Sequence, residues 1–297
     1  MHPAAVRPVS SGPKFPQVEL ADARGDLRRS YEDMQAVLRV PWVMFAARSL
    51  AVFGQFVPAA WQVSRRPFGT RYLEQCAHEL RALAVLPGED PVIRAGFDDP
   101  DLDGIRAALR ALNYGNAKYL LLITAWCEAI QGRPSGGSGP LSDLEQTLPA
   151  GPLPGMPELR MVDPRTVSPR VGELLHRVTD MHLHHGPSSD FRVLANWPDF
   201  LEVALDDVLA PVVRTEPYEA TAHALLIRAR EQVRGLPAPA GLGPDAALTV
   251  CTEVEVAAVT GLLFLFQRFI LDVTIDMVRC AQALDGPTAT TSPFPTL

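Results

Sequence analysis

The segment 186–191, with the sequence GPSSDF, combines a helix start with a carboxylate. Serine and aspartate after a Gly-Pro break are typical of a helix N-terminus, where their side-chain oxygens cap backbone N–H groups. Ser188, Ser189 and Asp190 are therefore explained equally well as simple caps. The same position also has a chemical interpretation, because amides at a helix start bind carboxylates and an aspartate held beside them can act as a general base.

A second candidate lies on the long helix predicted over 103–130. Apolar residues recur on one face of this helix, and Asn116 lies in the middle of that face. A buried carboxamide must be hydrogen-bonded, and it can both donate and accept. Its partner is either the backbone of another helix or a polar ligand or water inside the core, and the residues leave both open. Asn113 flanks the same face, and Lys118 is predicted to point to the opposite side.

The histidine run at 182–185, with the sequence HLHH, suggests a metal site at first sight. On the helix predicted over 170–185, however, His176, Asp180 and His184 fall opposite the apolar face. We therefore interpret them as a solvated polar face and predict no metal ion here.

The last predicted helix carries Arg268, Asp272 and Asp276 at four-residue spacing. This spacing favours an ion pair within the helix. The alternative is that Arg268, inside an apolar run, reaches the carboxylate of a substrate.

Composition excludes several classes of protein. Hydrophobic residues make up 47% and charged residues 21% of the 297 residues, which is typical of a folded globular chain. The net charge of −7 has the wrong sign for a nucleic-acid binder that neutralises phosphates. The first twenty residues contain no apolar signal segment, and the apolar stretch 256–266 is too short to span a bilayer. We therefore predict a cytoplasmic protein with no nucleic-acid or membrane partner.

The four cysteines are far apart in the sequence and form no CxxC pair. Metal sites and redox dithiols usually have close pairs, so isolated buried thiols in a reducing compartment are expected. The cysteines are Cys76, Cys127, Cys251 and Cys280.

Helical periodicity dominates the chain, and strand patterns are scarce, so the predicted fold class is all-α. Two further regions, 41–63 and 189–210, are interpreted as helices broken by Pro58 and by the Trp-Pro pair at 197–198. The continuous helices are predicted over 70–85, 103–130, 170–185, 216–234 and 246–283.

Between the helical regions, 131–170 contains eight prolines and six glycines, which indicates an extended connection. The two sides resemble one another weakly, since Phe45 matches Phe191 and Tyr72 matches Tyr218 at one offset. This pattern predicts two fused helical repeats, a pseudo-dimer with a site between them. The predicted segments are an N-terminal arm (1–25), repeat 1 (26–130), a linker (131–170), repeat 2 (171–285) and a C-terminal tail (286–297).

Three segments together resemble a known family: 41–45 (PWVMF), 113–119 (NYGNAKY) and 188–198 (SSDFRVLANWP). They resemble the group I D,L-2-haloacid dehalogenases, cofactor-free helical enzymes that remove halide from 2-haloalkanoic acids. The resemblance covers nearly the whole chain, including its length, the two repeats and the proline-rich connection. It implies an all-helical hydrolase with a small 2-haloacid substrate and no metal or organic cofactor. A homodimer is left open.

The resemblance also implies roles for individual residues. Asp190 would activate a water that attacks the halogen-bearing carbon directly, with inversion and without an ester intermediate, and Asn116 would hold that water. Asp190 acting as a covalent nucleophile is the alternative within the same activity. Residues implied to line the substrate pocket are Trp42, Phe45, Tyr119, Ser188 and Ser189.

Two positions depart from the family pattern. Met44 stands where a small residue is expected, which leaves chain length and enantiomer preference open. Phe264 or Phe266 would supply the pocket aromatic of the last helix, without the hydroxyl of a tyrosine; we favour Phe266. These departures support an alternative function, a non-catalytic helical protein that binds small acids and keeps the dehalogenase fold.

Overall fold

The computed structural model describes residues 15–88, 90–93, 96–139 and 146–290. Within these residues the chain forms α-helices joined by turns and loops, with no strand. One isolated antiparallel bridge joins Thr70 to Thr147. The predicted all-α fold class is confirmed.

Eleven α-helices occur within the described part of the chain. A π-helical turn (Ala204–Leu209) extends the eighth helix, and a 3₁₀ turn (Gly286–Thr290) follows the last. The helices are α1 (Gly25–Leu38), α2 (Phe45–Leu50), α3 (Phe56–Phe68), α4 (Arg71–Leu83), α5 (Asp99–Ile130), α6 (Pro169–His182), α7 (Ser189–Leu194), α8 (Pro198–Val203), α9 (Glu216–Arg234), α10 (Pro244–Leu248) and α11 (Glu253–Asp285).

The two longest helices, α5 and α11, lie antiparallel at the centre of the molecule. Near one end Asn113 donates to the carbonyl of Met277 at 3.2 Å, and further along Gln267 donates to Thr124 at 3.0 Å. Every residue of α5 from 111 to 130 is buried. The helix is therefore enclosed on all sides, and its polar side chains need partners inside the protein.

Two apolar cores form along this central pair. One packs α1 to α4, α9 and the C-terminal part of α5 against the N-terminal part of α11. The other packs α6 to α8 against the opposite ends of the same two helices. Each core draws residues from both 26–130 and 171–285, so the two halves of the chain share their hydrophobic burial.

The predicted helix 246–283 is wrong in one respect, because the structure divides it into α10 and α11. Thr252 caps α11 by accepting from Glu255 N, while the Glu255 side chain accepts from Thr252 N. This reciprocal capping box starts a new helix after α10. Pro58 does not break a helix either: it lies in the first turn of α3, where a missing N–H costs nothing.

One helix, α1, was not predicted. Its sequence is rich in charged residues, and just three of its side chains, Tyr31, Met34 and Leu38, are buried. Such a narrow apolar stripe gives a weak periodic signal. Helices α5, α6 and α9 match their predicted ranges closely, and α9 matches 216–234 at both ends.

Parts of the predicted arm, linker and tail lie among the described residues. Residues 131–139 and 146–168 contain no helix. Residues 15–24 run along the bundle, where Val18 N donates to Arg48 O at 3.0 Å and Tyr31 donates to Val18 O. The rest of the predicted arm and tail, 1–14 and 291–297, lies outside the described residues, as does 140–145.

One described helix, α11 with its following turn (Glu253–Thr290), is long and apolar enough to cross a membrane. This contrasts with the expectation that the apolar stretch is too short. Length and composition are weak evidence, because the core helix of a water-soluble protein passes the same test. The apolar window of this helix is 28% buried, whereas residues 271–278 are all buried inside the bundle.

Candidate active site

Asp190 and Asn116 meet where α7 begins against the middle of α5. Ser188 is the N-cap of α7, and its hydroxyl accepts from Phe191 N at 3.5 Å. This cap turns Asp190 inward, so that it is 6% exposed, and Asn116 Nδ2 donates to Asp190 Oδ1 at 2.7 Å. Two residues that the sequence singled out independently therefore form one buried hydrogen-bonded pair.

The surroundings of Asp190 raise its affinity for a proton. Burial raises the pKa of its carboxyl from 3.8 to about 6, against the hydrogen bond from Asn116, which lowers the pKa. The charge of Asp276 adds to the increase. A neutral amide stabilises the carboxylate less than a cation would, so Asp190 is a base suited to operation near neutral pH.

The two asparagines of α5 have different partners. Asn113 donates to the backbone of α11 at Met277, whereas Asn116 donates to Asp190. The geometry therefore favours Asn116 as the functional amide and gives Asn113 a role in packing the central helices.

Tyr119 and Trp42 lie beside the polar pair. Tyr119, one turn from Asn116 on α5, is buried and donates to the carbonyl of Trp42 at 2.8 Å. The two rings are 6.4 Å apart in an edge-to-face arrangement. Sequence reasoning missed Gly115: a Cβ there would lie 2.6 Å from Cζ2 of Trp42. Only a glycine allows the indole to lie this close to α5.

Three aromatic rings, from the N-terminal arm, α2 and α11, contact one another at the start of α2. Phe45 lies 5.6 Å from Phe266, edge to face, and both are 5.9–6.3 Å from Phe15. Phe264 is 42% exposed and takes no part, so Phe266 is the pocket-side residue of the pair. Phe15 belongs to the predicted arm, and nothing in its sequence context indicated this role.

Met44 and Ser189 lie at the starts of two short helices. Met44 is the N-cap residue of α2 and is buried. Ser189 is the first residue of α7, next to Asp190. Met44 precedes Phe45, and Ser189 precedes Asp190. The predicted pocket residues therefore come from four places: the start of α2, the start of α7, the middle of α5, and α11.

Lys118 is buried, although its predicted position opposite the apolar face of α5 suggested that it would reach solvent. It is 1% exposed and donates to Glu74, to the hydroxyl of Tyr114 and to the carbonyl of Leu38. The reason is that α4 and α9 cover the second face of α5. Burial lowers the pKa of Lys118 to about 8, although Glu74 opposes this decrease.

The expectation of a solvated polar face is correct for His176 and Asp180 and wrong for His184. His182 and His184 are buried, and they face Asp276 and Asp272 at 3.1 and 2.9 Å. The helical projection fails because α6 ends at His182 and Leu183 adopts a left-handed conformation, with φ of 51°. This turn points His184 into the protein.

The predicted ion pair on α11 is present. Arg268 pairs with Asp272 at 3.0 Å and also with Glu219 at 2.9 Å. Asp276 instead accepts from Tyr218. All four cysteines are buried and unbonded to one another, as expected.

A separate cleft lies between the N-terminal part of α5 and the C-terminal end of α11. It contains Arg106 and Arg110, which both pair with Asp285. None of the predicted site residues lines it.

An all-helical fold that buries a carboxylate of raised pKa against an amide, beside aromatic rings, has groups that an enzyme can use for acid–base chemistry. Comparison with known proteins gives this class a more specific identity. No family model matches the chain. It is 47% identical over 289 residues to a configuration-inverting 2-haloacid dehalogenase of Alcaligenes xylosoxydans xylosoxydans, covering 95% of this chain and 98% of that protein. A second enzyme so described, from Pseudomonas sp. (strain 113), is 41% identical over 278 residues, 91% of each chain.

Solved structures agree in fold. A D-2-haloacid dehalogenase mutant in complex with D-2-CPA superimposes with a TM-score of 0.83 at 23% identity, covering 95% of this chain and all of that one. A complex of D-2-haloacid dehalogenase with L-LA gives 0.82 at 24% identity. With the two close relatives, these comparisons show that the chain belongs to the configuration-inverting 2-haloacid dehalogenase family.

Proposed function

We propose that this protein hydrolyses short-chain 2-haloalkanoic acids to 2-hydroxy acids, inverting the configuration at C2, by direct attack of a water that Asp190 activates. The observation that carries this proposal is the buried pair of Asp190 and Asn116, joined at 2.7 Å. Membership of a configuration-inverting family supports the stereochemical part.

The reaction requires a water to be deprotonated and aligned at once. Asn116 donates to Oδ1 of Asp190, so Oδ2 is the oxygen expected to accept the proton of the water. The carbonyl oxygen of Asn116 is expected to accept from the same water and hold it in line with the carbon–halogen bond. As the water oxygen bonds to C2, the halogen leaves as halide with the bonding electron pair. Asp190 takes the proton and later releases it to solvent.

The surrounding residues suit a halide leaving group and a carboxylate. Phe45 and Phe266 provide an apolar wall that excludes bulk water. Trp42, held by Tyr119 and Gly115, is the N–H donor proposed to meet the departing halide. The backbone amides at the start of α7, near Ser188 and Ser189, are proposed to hold the substrate carboxylate. Met44 is proposed to limit the length of the substrate chain.

Halide release from separate D- and L-2-chloropropionate tests this function. We expect chloride release by the wild type and a loss of about 10²–10⁴-fold in Asp190→Asn. Asp180→Asn is the matched control, because Asp180 is exposed and pairs only with His176 among its described ion pairs. If the folded wild type releases no halide from any short 2-haloacid, the proposed function is wrong.

A non-catalytic protein that binds small acids is the second candidate. It is favoured by Met44, which is buried beside the site, and by Phe266, which lacks a hydroxyl. Lactate or a 2-haloacid would then raise the unfolding temperature without any halide release. Turnover in the chloropropionate assay eliminates this candidate.

We also propose that the fold is a fused repeat. Support comes from the order of helix lengths: α1 and α6 both have 14 residues, α2 and α7 both have 6, and α5 and α11 have 32 and 33. Both 14-residue helices end in a left-handed residue, Arg39 and Leu183. At the sequence offset that matches Phe45 to Phe191, Asp190 corresponds to Met44 and Ser188 to Trp42. Asp190 then has no carboxylate counterpart in the first repeat.

Cytoplasmic location, a homodimer and the lack of membrane or nucleic-acid partners stay predictions. The net charge of −7 supports the last of these. Sedimentation of the purified chain measures its oligomeric state directly.

A further inference from the structure

The N-terminal arm reaches the start of α2, where the proposed substrate pocket lies. Phe15 is the first described residue of this arm and is half-buried. Its ring centroid lies 5.9 Å from that of Phe266, 6.3 Å from that of Phe45 and 5.6 Å from that of His185. The roles proposed above for the hydrolysis do not include this ring.

The three rings around Phe15 belong to three different elements of the site. Phe45 is the first residue of α2, and Phe266 lies on α11. His185 lies in the short connection between α6 and Ser188, the cap of α7. One side chain of the arm therefore joins the apolar wall of the proposed pocket to the segment that leads to the catalytic carboxylate.

Burial differs between the two sides of the proposed pocket. Asp190 and Phe266 are buried, whereas Trp42 and Phe45 are half-buried. The side nearest to solvent is therefore formed by Trp42 and Phe45, and Phe15 packs against the second of these rings. The two planes meet at 80°, an edge-to-face contact that favours a defined ring position.

Polar contacts hold the arm in this position. Val18 N donates to the carbonyl of Arg48 at 3.0 Å, and the guanidinium of Arg48 pairs with Glu19 at 3.1 Å. On the other side of the arm, Tyr31 of α1 donates to the carbonyl of Val18 at 3.1 Å. Arg48 lies one turn after Phe45 on α2, and its guanidinium carbon lies 5.9 Å from the centre of the Phe45 ring. The arm is therefore attached to the helix that carries the aromatic wall.

The burial of Arg48 favours the attached position of the arm. The side chain of Arg48 is 8% exposed, and Glu19 supplies its one ion pair among the described residues. A buried guanidinium that loses its carboxylate partner is strongly destabilising. Detaching the arm would remove that partner, so the wall of the pocket and the ion pair are expected to stay together.

We propose that residues 15–20 form the outer wall of the substrate pocket and that Phe15 is a specificity-determining residue, whose ring limits the alkyl group at C2 of the 2-haloacid. This inference rests on the proposed function. A methyl group at C2 fits against the rings of Phe15, Phe45 and Phe266, whereas a longer chain collides with Phe15. Glu19 is a positioning residue, because it acts through the placement of that ring. The competing interpretation is that Phe15 packs on the surface and meets no ligand.

Bromide release by the full-length chain from 2-bromopropionate and from 2-bromohexanoate tests the role of Phe15. The wild type should prefer 2-bromopropionate, and Phe15→Ala should reduce the ratio of the two kcat/KM values by about tenfold, since one methylene group in an apolar pocket changes discrimination by this amount or more. Phe15→Leu, which keeps part of the apolar volume, should give an intermediate ratio. Phe53→Ala is the matched control, because Phe53 is a half-buried ring that packs against the apolar core in the turn after α2; it should leave the ratio unchanged.

Glu19→Gln tests the positioning of the arm. It weakens the ion pair with Arg48 and should lower the same ratio by about two- to threefold, because a half-exposed ion pair fixes its geometry weakly. Glu32→Gln is the matched control, since it weakens the exposed pair with Arg28 on α1 and should leave the ratio unchanged. A merely structural contact would change stability and leave the ratio between two substrates as it is.

Binding of lactate and of 2-hydroxyhexanoate, measured by titration calorimetry, gives a second test that does not depend on turnover. The wild type should bind lactate more tightly, and Phe15→Ala should reduce this preference by about tenfold. A wild type without a preference, or a preference that Phe15→Ala and Phe15→Leu retain in both measurements, would overturn the role of Phe15 even if halide release supports the proposed function.

The converse result separates the two proposals. A wild type that releases no halide but binds lactate with a preference that Phe15→Ala reduces would support the wall and contradict the proposed function. A wild type that neither releases halide nor binds either hydroxy acid would overturn both.

Discussion

Two buried carboxylates contact α5 from opposite sides, and their surroundings differ in charge. Asp190 meets the neutral amide of Asn116, whereas Glu74 meets the ammonium of Lys118 and the hydroxyl of Tyr114, with Arg39 at 3.8 Å. An ion pair and a hydroxyl fix the Glu74 side chain in place, whereas the Asn116 amide orients Asp190, whose pKa burial raises. The comparison explains why one buried acid suits chemistry and the other suits stability.

Lys118→Met should have the largest effect on this comparison. It removes the closest cation from the buried Glu74 and leaves Arg39 at 3.8 Å, so the free energy of unfolding should fall by about 3 kcal/mol, the low end of the cost of breaking a buried ion pair. Denaturant titration measures this decrease. Arg28→Met is the control, because the exposed pair of Arg28 and Glu32 contributes at most about 1 kcal/mol. Equal losses in both variants would contradict the structural role of Lys118.

Asn116→Ala should lower kcat while the protein stays folded. Removing one aligned donor at a reacting centre costs about 10²–10³-fold. Asn113→Ala is the matched control on the same helix, because Asn113 bonds only to the Met277 carbonyl among the described contacts. If Asn113→Ala lowers kcat as much as Asn116→Ala, the assignment of the functional amide is wrong.

Asp190→Asn should be more stable than the wild type at neutral pH. The pKa of Asp190 in the folded protein, about 6, lies above its ordinary value of 3.8, so the folded state binds the proton more tightly than the unfolded chain. Ionisation of Asp190 therefore destabilises the fold. This cost is absent below about pH 4, grows between pH 4 and 6 and reaches about 3 kcal/mol above pH 6.

Unfolding free energies of the two proteins at pH 4 and pH 8 measure that difference. The stability gain of Asp190→Asn should appear at pH 8 and vanish at pH 4. A gain of the same size at both values would mean that burial does not raise the pKa of Asp190.

The pH dependence of kcat/KM follows from the same carboxyl. Because Asp190 must be ionised to accept a proton, kcat/KM should rise with an apparent pKa near 6. In Asn116→Ala the rise should move to higher pH, since the hydrogen bond that lowers the pKa is lost. A rise near pH 4 in both proteins would contradict the buried state of the base.

Gly115→Ala should have the smallest effect of the five. Its Cβ would displace the indole of Trp42, and a small shift of a pocket wall should lower kcat/KM by about tenfold, within the 10²-fold that misplacement can cost. Gly104→Ala is the control. Gly104 lies on α5 like Gly115, and a Cβ at this position would lie 2.8 Å from the ring of Trp197, which is not one of the proposed site residues. It should lower stability and leave kcat/KM unchanged.

Local sequence signals predicted much of this fold. Helix α9 matches the range predicted from its apolar periodicity at both ends. Asp190 and Asn116 were found because a polar residue on an apolar face, or after a helix-starting break, needs an explanation.

The wrong predictions concern residues whose burial is determined by tertiary packing. Periodicity identifies one apolar face of α5, but it does not reveal that α4 and α9 cover the other, which buries Lys118. His184 was misplaced because the left-handed Leu183 ends the helical projection. Gly115 and Phe15 act through contacts with residues far away in the sequence, and a single chain gives no local signal for such contacts.

A single turnover in ¹⁸O-water, with enzyme in excess over L- or D-2-chloropropionate, tests the central claim most directly. Mass spectrometry of the lactate and of the peptide that contains Asp190 locates the oxygen that attacked C2. Direct attack by the activated water predicts ¹⁸O in the lactate and none in the Asp190 carboxylate. Label in Asp190, with unlabelled lactate from the first turnover, would show that Asp190 is the nucleophile and contradict the account.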